Sequence, residues 1–349
     1  MAKKSSLKRW LYTALLLLFI IGGTGLYIFY RAFYYPSIRF TEKSKLIYIH
    51  TGWDYAKVLD MLESKDILKK PKAFTILAGI KKYKNHIKPG RYRIMNGMNN
   101  VQLVNLLLSG KQEPESISIH NIRNVQELAG ILALKMESDS ATIINAITNK
   151  QTVKKYGFNI ANVSGMFIPG TYSLLWTDSP TDFVEYMHSN YESFWTEERR
   201  QLAAAIPLTP LQVTTLASIV QAEQSVVDYE KPIIAGLYIN RLKQNMPLQS
   251  DPTLIFARGD FSILRVRDGD KKVESEYNTY AHTGLPPGPI NMPEPSSIDA
   301  VLHYQKSDYI YMCAEADLSG RHHFTSSFKD QEACAIKYRK ALNQRGIMR

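Results

Sequence analysis

Residues 211–227 read LQVTTLASIVQAEQSVV, a stretch in which apolar residues recur at the spacing of an amphipathic helix. On a 3.6-residue period, Glu223 shares one stripe with three apolar residues, Leu216, Ile219 and Val220. The pattern predicts a core-facing helix over 211–227. It also predicts that Glu223 is the lone ionisable side chain on the apolar face of this helix.

Glu223 has two interpretations at this point. A carboxyl group held on an apolar face loses contact with water, so its pKa should rise, and a general acid that works near neutral pH needs such a pKa. Alternatively, Glu223 pairs with an arginine such as Arg241, or extends to solvent at the end of its helix. Helical spacing alone does not separate catalysis from these structural roles.

Two downstream segments add polar and aromatic groups. Residues 251–253, Asp-Pro-Thr, are typical of a helix start, with Asp251 as N-cap and the proline at the first helical position. Residues 277–280, Tyr-Asn-Thr-Tyr, place an amide between two aromatic rings. Such a set suits a sugar-binding cleft, because rings stack on sugars and an amide both donates and accepts hydrogen bonds. The same residues are equally typical of a core beside the rigid Gly/Pro loop at 284–289.

The remaining chain predicts an α+β fold of unequal parts. Between residues 44 and 115, the pattern predicts a strand–helix–helix–strand unit followed by one more helix. Its predicted elements are a strand within 38–50, helices at 55–63 and 71–78, a strand at 91–94, and a helix capped by Asn99 or Asn100 and ended by Gly110. A connecting region over 116–185 then leads to a larger mixed helical and β domain over 186–349.

Residues 11–30, LYTALLLLFIIGGTGLYIFY, carry no charge and are long enough to cross a hydrocarbon core of ~30 Å as a helix. The preceding residues 1–10 contain a short basic stretch, which favours a cytoplasmic N-terminus. A cleaved signal peptide is the alternative, but its apolar region is usually shorter and ends in small residues, whereas this run ends in bulky aromatic ones. We therefore expect an uncleaved single-pass anchor in the inner (plasma) membrane over 11–31, with the following domains outside the cytoplasm.

The chain is basic, with 43 Lys and Arg residues against 32 Asp and Glu residues and a formal net charge of +11. Such a charge favours polyanionic partners: nucleic acid, an anionic membrane surface, or a carboxylate-rich polymer such as cell wall. The cations are spread along the chain, and none of the usual nucleic-acid-binding motifs is visible. We therefore expect no nucleic-acid partner.

The cysteine and histidine positions argue against a metal site. Cys313 and Cys334, the two cysteines of the chain, are too far apart for the ligand spacing of a zinc site, and they are compatible with one disulfide or with two buried thiols. His322 and His323 are adjacent but lack a nearby helical histidine or carboxylate partner. A glycine-rich phosphate loop is also absent from the sequence, so we expect neither a metal nor a cofactor.

Several short motifs follow one another in a fixed order along the chain. They are LASIVxxE at 216–223, NRL at 240–242, LQSDPT at 248–253, YNTY at 277–280, GLPPGPI at 284–290 and GxHxF at 320–324, preceded by KPGRY at 88–92 and GMFIP at 165–169. The ordered set resembles the MltG (YceG-like) family of endolytic murein transglycosylases. This resemblance implies a LysM-like βααβ subdomain over 44–115 and a catalytic transglycosylase domain over 186–349.

The resemblance also implies a reaction. In the family, the catalytic residue is the second glutamate of an Ile-Val-Glu-x-Glu stretch, which is Glu223 here, while Gln221 stands at the first position. The implied reaction cleaves the MurNAc–GlcNAc β-1,4 bond of nascent peptidoglycan, leaves a 1,6-anhydroMurNAc end and terminates glycan strand elongation. Residues two positions apart on a helix point in different directions, so Gln221 faces away from Glu223. The loss of the glutamate charge at position 221 should therefore not stop the reaction. Gly170 is a second departure, since relatives often carry aspartate there.

By the same resemblance, the residues that bind substrate or orient the catalytic carboxyl are Asn240, Gln249, Asp251, Tyr277, Asn278, Tyr280 and His322. For each of them, a structural role is the open alternative to direct substrate contact. The implied partners are peptidoglycan glycan strands, the membrane, and the peptidoglycan synthases of the elongation or division machinery. Two alternatives stay open. A non-catalytic wall-binding scaffold would not need Glu223, and a lysozyme-type hydrolase would produce reducing-end sugars instead of anhydro ends.

Overall fold

The computed structural model describes residues 3–263 and 265–345. The described chain is a mixture of helices and three small two-stranded sheets, which confirms the predicted mixture of α and β structure. It divides into two compact units. The first contains the chain up to residue 115 together with 173–177, and the second contains 116–172 and the chain from 178 onwards.

The first unit has strand, helix, helix and strand in the predicted order after its N-terminal helix. Its elements are α1 (Lys3–Phe33), β1 (Ser44–Ile49), α2 (Tyr55–Ser64), α3 (Pro71–Ile80), β2 (Gly90–Met95) and α4 (Asn100–Ser109). β1 and β2 pair antiparallel with Ile47 opposite Tyr92, and both side chains are fully buried. The strand predicted within 38–50 is shorter than its apolar pattern, because only residues 44–49 have a partner on the neighbouring strand.

Local side chains set the two ends of α4. Asn99 is the N-cap: its side chain accepts from the Gln102 N–H at 2.8 Å, and the Gln102 side chain accepts from the Asn99 N–H at 3.0 Å. Asn100 instead donates to the Ala32 carbonyl oxygen, which decides between the two predicted caps. Gly110 ends the helix with φ 67°, in the left-handed region that glycine adopts without steric cost.

Within α1, the segment Lys8–Phe33 is a continuous helix of 26 residues that is long and apolar enough to cross a membrane. The mean hydropathy of its most apolar window is 2.0, and no part of that window is buried inside the protein. Exposed apolar surface of this extent marks a membrane or protein contact. The last residue of the segment, Phe33, is already buried in the core of the first unit.

The elements from residue 115 onwards alternate helices with long loops. They are β3 (Glu115–Ile119), α5 (Val125–Ala133), α6 (Ser140–Ile147), α7 (Lys150–Lys155), β4 (Gly170–Leu174), α8 (Pro180–Phe194), α9 (Glu197–Ala205), α10 (Pro210–Glu223), α11 (Lys231–Lys243), α12 (Asp251–Arg258), α13 (Pro295–Leu302), β5 (Tyr311–Ala314), β6 (His322–Thr325) and α14 (Phe328–Gln344). β3 pairs with β4, and β5 pairs antiparallel with β6.

Helix α10 is the central helix of the second unit. Every residue from Val213 to Val220 is buried, and the helix packs against α11, α12 and α13. Thr209 begins it with a capping box that Gln212 closes. The predicted core-facing helix is therefore present, and it is buried on more sides than its single apolar stripe indicated.

The C-terminal boundary of this helix was predicted wrongly. The helix ends at Glu223 rather than at Val227, and Gln224 is extended, with φ −135° and ψ 98°. The Gln224 side chain accepts hydrogen bonds from the N–H groups of Val226 and Val227 at 3.0 and 2.9 Å. Because these N–H groups bond to a side chain, they do not continue the helix. Glu223 is therefore the last residue of α10.

The start of α12 also differs from the prediction. Ser250, not Asp251, is the N-cap, and Asp251 is the first helical residue, with Pro252 after it. The Ser250 side chain makes no cap hydrogen bond to the helix. Asp251 thus lies in the first turn of α12, where the helix dipole favours a negative charge.

Cys313 and Cys334 are both free thiols. Cys313 is buried on β5, and burial raises the pKa of its thiol to about 12. Cys334 is partly exposed on α14. The structure therefore has two free thiols rather than a disulfide, but only Cys313 is buried as the second alternative predicted.

Candidate active site

The second unit contains a cavity of about 390 Å³ at the C-terminal end of α10. A volume of this order is typical of small-molecule sites, which occupy roughly 300–1,000 Å³. The walls come from α10, α11, the segment 248–251, the loop at Tyr280, and the β5, β6 and α14 region. The polar side chains in the lining include Glu223, Tyr238, Arg241, Gln249, Asp251, Tyr280 and His322.

The Glu223 carboxylate accepts two hydrogen bonds from hydroxyl groups. Ser250 Oγ donates to Glu223 Oε1 at 2.5 Å, and the Tyr238 hydroxyl donates to the same oxygen at 2.8 Å. Ser250 is fully buried, and its N–H donates to Thr279 Oγ1 at 3.0 Å. Tyr238 is buried on α11. Two hydroxyls on separate buried segments therefore orient one carboxyl oxygen.

Burial raises the pKa of Glu223 above its ordinary value. The hydrogen bonds from Ser250 and Tyr238 act in the opposite direction, the charge of Asp251 raises the pKa further, and His322 lowers it. The position at the C-terminal end of α10 adds to the rise, because that end of a helix disfavours negative charge. A carboxyl group with a raised pKa can donate a proton near neutral pH and then accept one.

Tyr238 acts on Glu223 as a neutral donor. Burial, together with the negative charge of Glu223, raises the pKa of Tyr238 well above its usual value. The phenol therefore keeps its proton and donates it to the carboxylate as a hydrogen bond. Its partner on the other segment, Ser250, is an alcohol and stays neutral as well.

A second carboxylate, that of Asp251, lies in the same lining. The Tyr280 hydroxyl donates to Asp251 Oδ1 at 2.5 Å. Burial and this hydrogen bond raise the pKa of Tyr280, so Tyr280 also stays protonated. Unlike Glu223, Asp251 is exposed to solvent.

Arg241 does not form the ion pair with Glu223 that the structural interpretation required. Its guanidinium donates to the carbonyl oxygens of Ile310 at 2.6 Å and Leu248 at 2.9 Å, and to Gln249 Oε1 at 3.2 Å. These bonds hold the segment before α12 against β5. Gln249 itself has φ 54°, a left-handed conformation that turns the chain into the cavity wall.

His322, at the start of β6, is the imidazole of this lining. Its Nδ1 lies 2.9 Å from Glu230 Oε2, and its N–H donates to Glu230 Oε1 at 3.0 Å. Glu230 is buried, at 2% exposure, in the short turn before α11. A carboxylate behind a histidine fixes both the orientation and the tautomer of the ring.

Comparison with known protein families matches residues 47–337 to the YceG-like family. The chain belongs to this family. Two curated relatives are similar in sequence and are named endolytic murein transglycosylase. The Bacillus subtilis (strain 168) protein is 27% identical over 348 residues, covering 93% of this chain and 93% of its own length. The Streptococcus pneumoniae (strain D39) protein is 24% identical over 328 residues, covering 84% of this chain but only 58% of its own length.

The fold of this YceG-like chain is similar to that of a solved YceG-like protein. The crystal structure of a YceG-like protein from Listeria monocytogenes superposes with a TM-score of 0.57 at 24% sequence identity. The match covers 83% of this chain and 98% of that one. At this identity, the likeness concerns the fold alone.

Three of the predicted site residues of the YceG-like chain lie outside the cavity lining. Asn240 donates to the carbonyl oxygens of Ser307 and Tyr309, at 2.8 and 2.9 Å. Asn278 is buried and donates to the carbonyl oxygens of residues 271 and 273, and its Oδ1 accepts from the N–H of Tyr280. Both amides therefore bond to backbone groups of neighbouring segments, outside the cavity lining.

Tyr277 is the third such residue. Its hydroxyl donates to the Ala161 carbonyl oxygen at 2.8 Å, and its ring centre lies 4.7 Å from that of Phe256. The two aromatic rings expected to flank Asn278 in one cleft, those of Tyr277 and Tyr280, thus lie in different places. Tyr280 lines the cavity, whereas Tyr277 packs elsewhere in the second unit.

The structure adds Tyr238, Ser250 and Glu230 to the groups around the site. Ser250 lay within the 248–253 motif and Tyr238 directly before the Ile-Asn-Arg-Leu stretch at 239–242, but neither residue type had a reason to be singled out. A tyrosine on an apolar helix is usually a packing residue, and a serine before Asp-Pro is usually a helix cap. Only their common contact with Glu223 gives them a role.

Gln221 and Gly170, the two departures from the family pattern, do not line the cavity. Gln221 Oε1 accepts from the Glu294 N–H at 2.7 Å and from Ser297 Oγ at 3.0 Å, at the start of α13. Its side chain thus joins α10 to the start of α13. The helical spacing had predicted only that Gln221 faces away from Glu223. Gly170 is the first residue of β4.

The charged groups of the cavity do not form a metal-binding set. Among residues 3–263 and 265–345, no three or more His, Cys, Asp and Glu side chains are arranged to hold a metal ion. The polar side chains of the lining carry carboxyl, hydroxyl, amide, guanidinium and imidazole groups.

Proposed function

We propose that this chain is a membrane-anchored lytic transglycosylase that cleaves the MurNAc–GlcNAc β-1,4 bond of peptidoglycan, with Glu223 as its catalytic acid and base. The observation that carries the proposal is the Glu223 carboxyl, which has a raised pKa, is held by two neutral hydroxyls and lines a cavity of sugar-binding size. The curated relatives named endolytic murein transglycosylase support the reaction class.

One carboxyl group suffices because the substrate supplies its own nucleophile. Protonated Glu223 donates its proton to the oxygen between MurNAc and GlcNAc, and the C1–O bond breaks with oxocarbenium character at C1. The Glu223 carboxylate then takes the proton from the MurNAc 6-hydroxyl while O6 bonds to C1. The products are a free GlcNAc hydroxyl and a 1,6-anhydroMurNAc end, and Glu223 is protonated again.

The second carboxylate in the lining favours one alternative, a lysozyme-type hydrolase. Hydrolysis needs a second carboxylate that activates water or attacks the sugar carbon. Asp251 is the candidate, but it is exposed and its Oδ1 already accepts from Tyr280. The two reactions differ in product mass, because an anhydro end is lighter than a hydrolysed end by one water.

The N-terminal parts of the chain complete the proposal. Segment Lys8–Phe33 anchors the protein in the plasma membrane with the preceding basic residues in the cytoplasm. The βααβ unit of β1, α2, α3 and β2 is LysM-like and holds glycan strands near the peptidoglycan synthases. Protease added to intact spheroplasts should then digest the second unit, and digestion only after lysis would contradict this orientation.

Glu223→Gln in the full-length chain tests the assignment, with uncross-linked glycan strands as substrate. We expect release of anhydro-muropeptides to fall by about 10²–10⁴-fold, the usual contribution of general acid–base catalysis. Glu198→Gln, at an exposed position of α9, is the matched control and should leave the rate unchanged. A Glu223→Gln protein with near wild-type rates would overturn the catalytic role, and reducing-end products from the unmodified chain would favour the hydrolase.

A further inference from the structure

Glu230 is a buried carboxylate that joins three segments around the active site. Its Oε2 accepts from His322 Nδ1 at 2.9 Å and from Gln224 Nε2 at 2.8 Å, and its Oε1 accepts from the His322 N–H at 3.0 Å. Gln224 directly follows Glu223, and its Nε2 also donates to the Gly320 carbonyl oxygen at 2.9 Å. The side chain of Glu230 has 3% exposure, and that of His322 has 15%.

The hydrogen bond to Glu230 determines which ring nitrogen of His322 remains for other partners. A carboxylate accepts hydrogen bonds and cannot donate one, so Nδ1 carries the proton that points to Glu230. Nε2 is therefore the nitrogen whose lone pair or second proton is free to act. Among residues 3–263 and 265–345, no hydrogen bond to Nε2 is present. His322 lines the cavity, whereas Glu230 does not.

We propose that Glu230 is a positioning residue that orients His322 so that Nε2 hydrogen-bonds to the glycan in the cavity. Nε2 then forms a hydrogen bond with a sugar hydroxyl. This inference rests on the proposed function, because it takes the cavity as the glycan-binding site. It adds a residue to that site, Glu230, which itself touches no substrate.

A purely structural role is the competing explanation. Glu230 also ties the residue after α10 to the start of β6, so its loss could lower stability without any effect on binding. Two isosteric substitutions of the histidine separate these roles. His322→Asn keeps an amide donor near the place of Nδ1 and removes Nε2, while His322→Gln places an amide near Nε2 and loses the bond to Glu230.

Binding is measured with the full-length Glu223→Gln protein and fluorescently labelled, uncross-linked glycan strands, so that cleavage does not interfere. In this background, we expect His322→Asn to unfold at nearly the parent temperature but to raise Kd about three- to tenfold, the value of one hydrogen bond. Glu230→Gln should raise Kd by a similar factor. The double variant Glu230→Gln/His322→Asn should bind no more weakly than His322→Asn, because Glu230 acts through the histidine.

The pair Glu294 and His120 is the matched control within the second unit. His120 Nδ1 lies 3.0 Å from Glu294 Oε2, and Glu294 Oε1 accepts from the N–H of Asn121, yet neither His120 nor Glu294 lines the cavity. Glu294→Gln and His120→Asn should therefore leave Kd unchanged. If Glu230→Gln does not fold, Glu230→Asp replaces it, since it keeps the charge and retracts the acceptor from His322.

An unchanged Kd in His322→Asn would overturn the proposal. Multiplication of the two single effects in the double variant would overturn the positioning role of Glu230. Failure of the proposed function would show differently, as an unmodified chain that binds glycan strands but releases no anhydro ends.

Discussion

Two carboxyl groups, those of Glu223 and Asp251, line the same cavity, but they differ in helix position and in exposure to solvent. Glu223 is the last residue of α10, whereas Asp251 is the first residue of α12. Each accepts a hydrogen bond of 2.5 Å from a hydroxyl, Ser250 in the first case and Tyr280 in the second. Burial raises the pKa of Glu223, while Asp251 is exposed to solvent.

The difference shows how one fold places two identical chemical groups for different tasks. The C-terminal end of a helix and the loss of water both favour a neutral carboxyl, and the N-terminal end and solvent both favour an anion. Glu223 is therefore suited to carry a proton to the glycosidic oxygen. Asp251 lies exposed in the cavity lining, at the start of its helix.

The largest expected effect separates the two carboxyls by rate. Glu223→Gln should reduce the release of anhydro ends by about 10²–10⁴-fold, whereas Asp251→Asn should cost no more than about tenfold, because it removes no proton that the reaction moves. Initial rates on uncross-linked glycan strands measure both. Equal losses of rate in the two variants would contradict the different tasks of the two carboxyls and favour a two-carboxylate hydrolase.

The next effect concerns the two hydroxyls on Glu223. Hydrogen bonds to a carboxylate favour its charged form, so Ser250→Ala and Tyr238→Phe should each raise the pKa of Glu223 further. The alkaline limb of the plot of kcat/KM against pH should then move to higher pH. The energy of one charge-assisted hydrogen bond, about 1.5–3 kcal/mol, limits the size of this shift. Tyr280→Phe, which removes the corresponding hydroxyl from Asp251, should leave that limb in place.

Stability should also distinguish the two positions. The pKa of Glu223 is higher in the folded chain than its ordinary value of 4.5, so the folded protein holds the proton where the unfolded chain releases it. The stability contributed by this group therefore falls as pH rises from about 4.5 through the raised pKa. Glu223→Gln does not titrate and should be more stable than the parent at pH 7, by about 0.5–2 kcal/mol.

Thermal unfolding between pH 4 and pH 8 measures this effect. The gain in stability of Glu223→Gln should shrink towards zero as the pH falls to about 4.5, the ordinary pKa of a glutamate. Asp251→Asn changes an exposed side chain and should alter stability by no more than about 0.5 kcal/mol. A stability gain that stays constant across the pH range would mean that burial does not destabilise the ionised form of Glu223.

The smallest expected effect is that of Tyr280→Phe on substrate binding. The Tyr280 hydroxyl bonds to an exposed carboxylate, so its removal should cost at most about 1 kcal/mol, or roughly fivefold in KM, with kcat nearly unchanged. Steady-state kinetics on the same glycan strands provide the test. A drop in kcat instead would indicate that Tyr280 takes part in the chemical step.

Local signals predicted the elements of the first unit well. Helix α4 illustrates this, because Asn99, Gln102 and Gly110 set both of its ends through contacts within a few residues. The end of α10 was missed, because it depends on the Gln224 side chain bonding forward to Val226 and Val227. The 3.6-residue pattern continues through this point and carries no sign of the break.

The candidate site was predicted only in part, because the spacing of residues does not show which contacts their side chains make. Gln249, Asp251, Tyr280 and His322 do line one cavity with Glu223, while Asn240, Tyr277 and Asn278 bond to backbone elsewhere. A motif indicates that a residue matters to the fold or to the site, but its spacing does not distinguish a buried amide that shapes a loop from one that meets a sugar.

The amino-acid sequence by itself determined the apolar segment at the N-terminus, the order of elements in the first unit and the presence of one carboxyl on the apolar stripe of α10. These features depend on the spacing of residues that are near one another in the chain. Tertiary structure alone decided that Ser250 and Tyr238 donate to Glu223, and that Glu230 lies behind His322. Such contacts join residues that are far apart in sequence, and only the packing of α10, α11, β6 and the segment before α12 in the second unit brings them within hydrogen-bond distance.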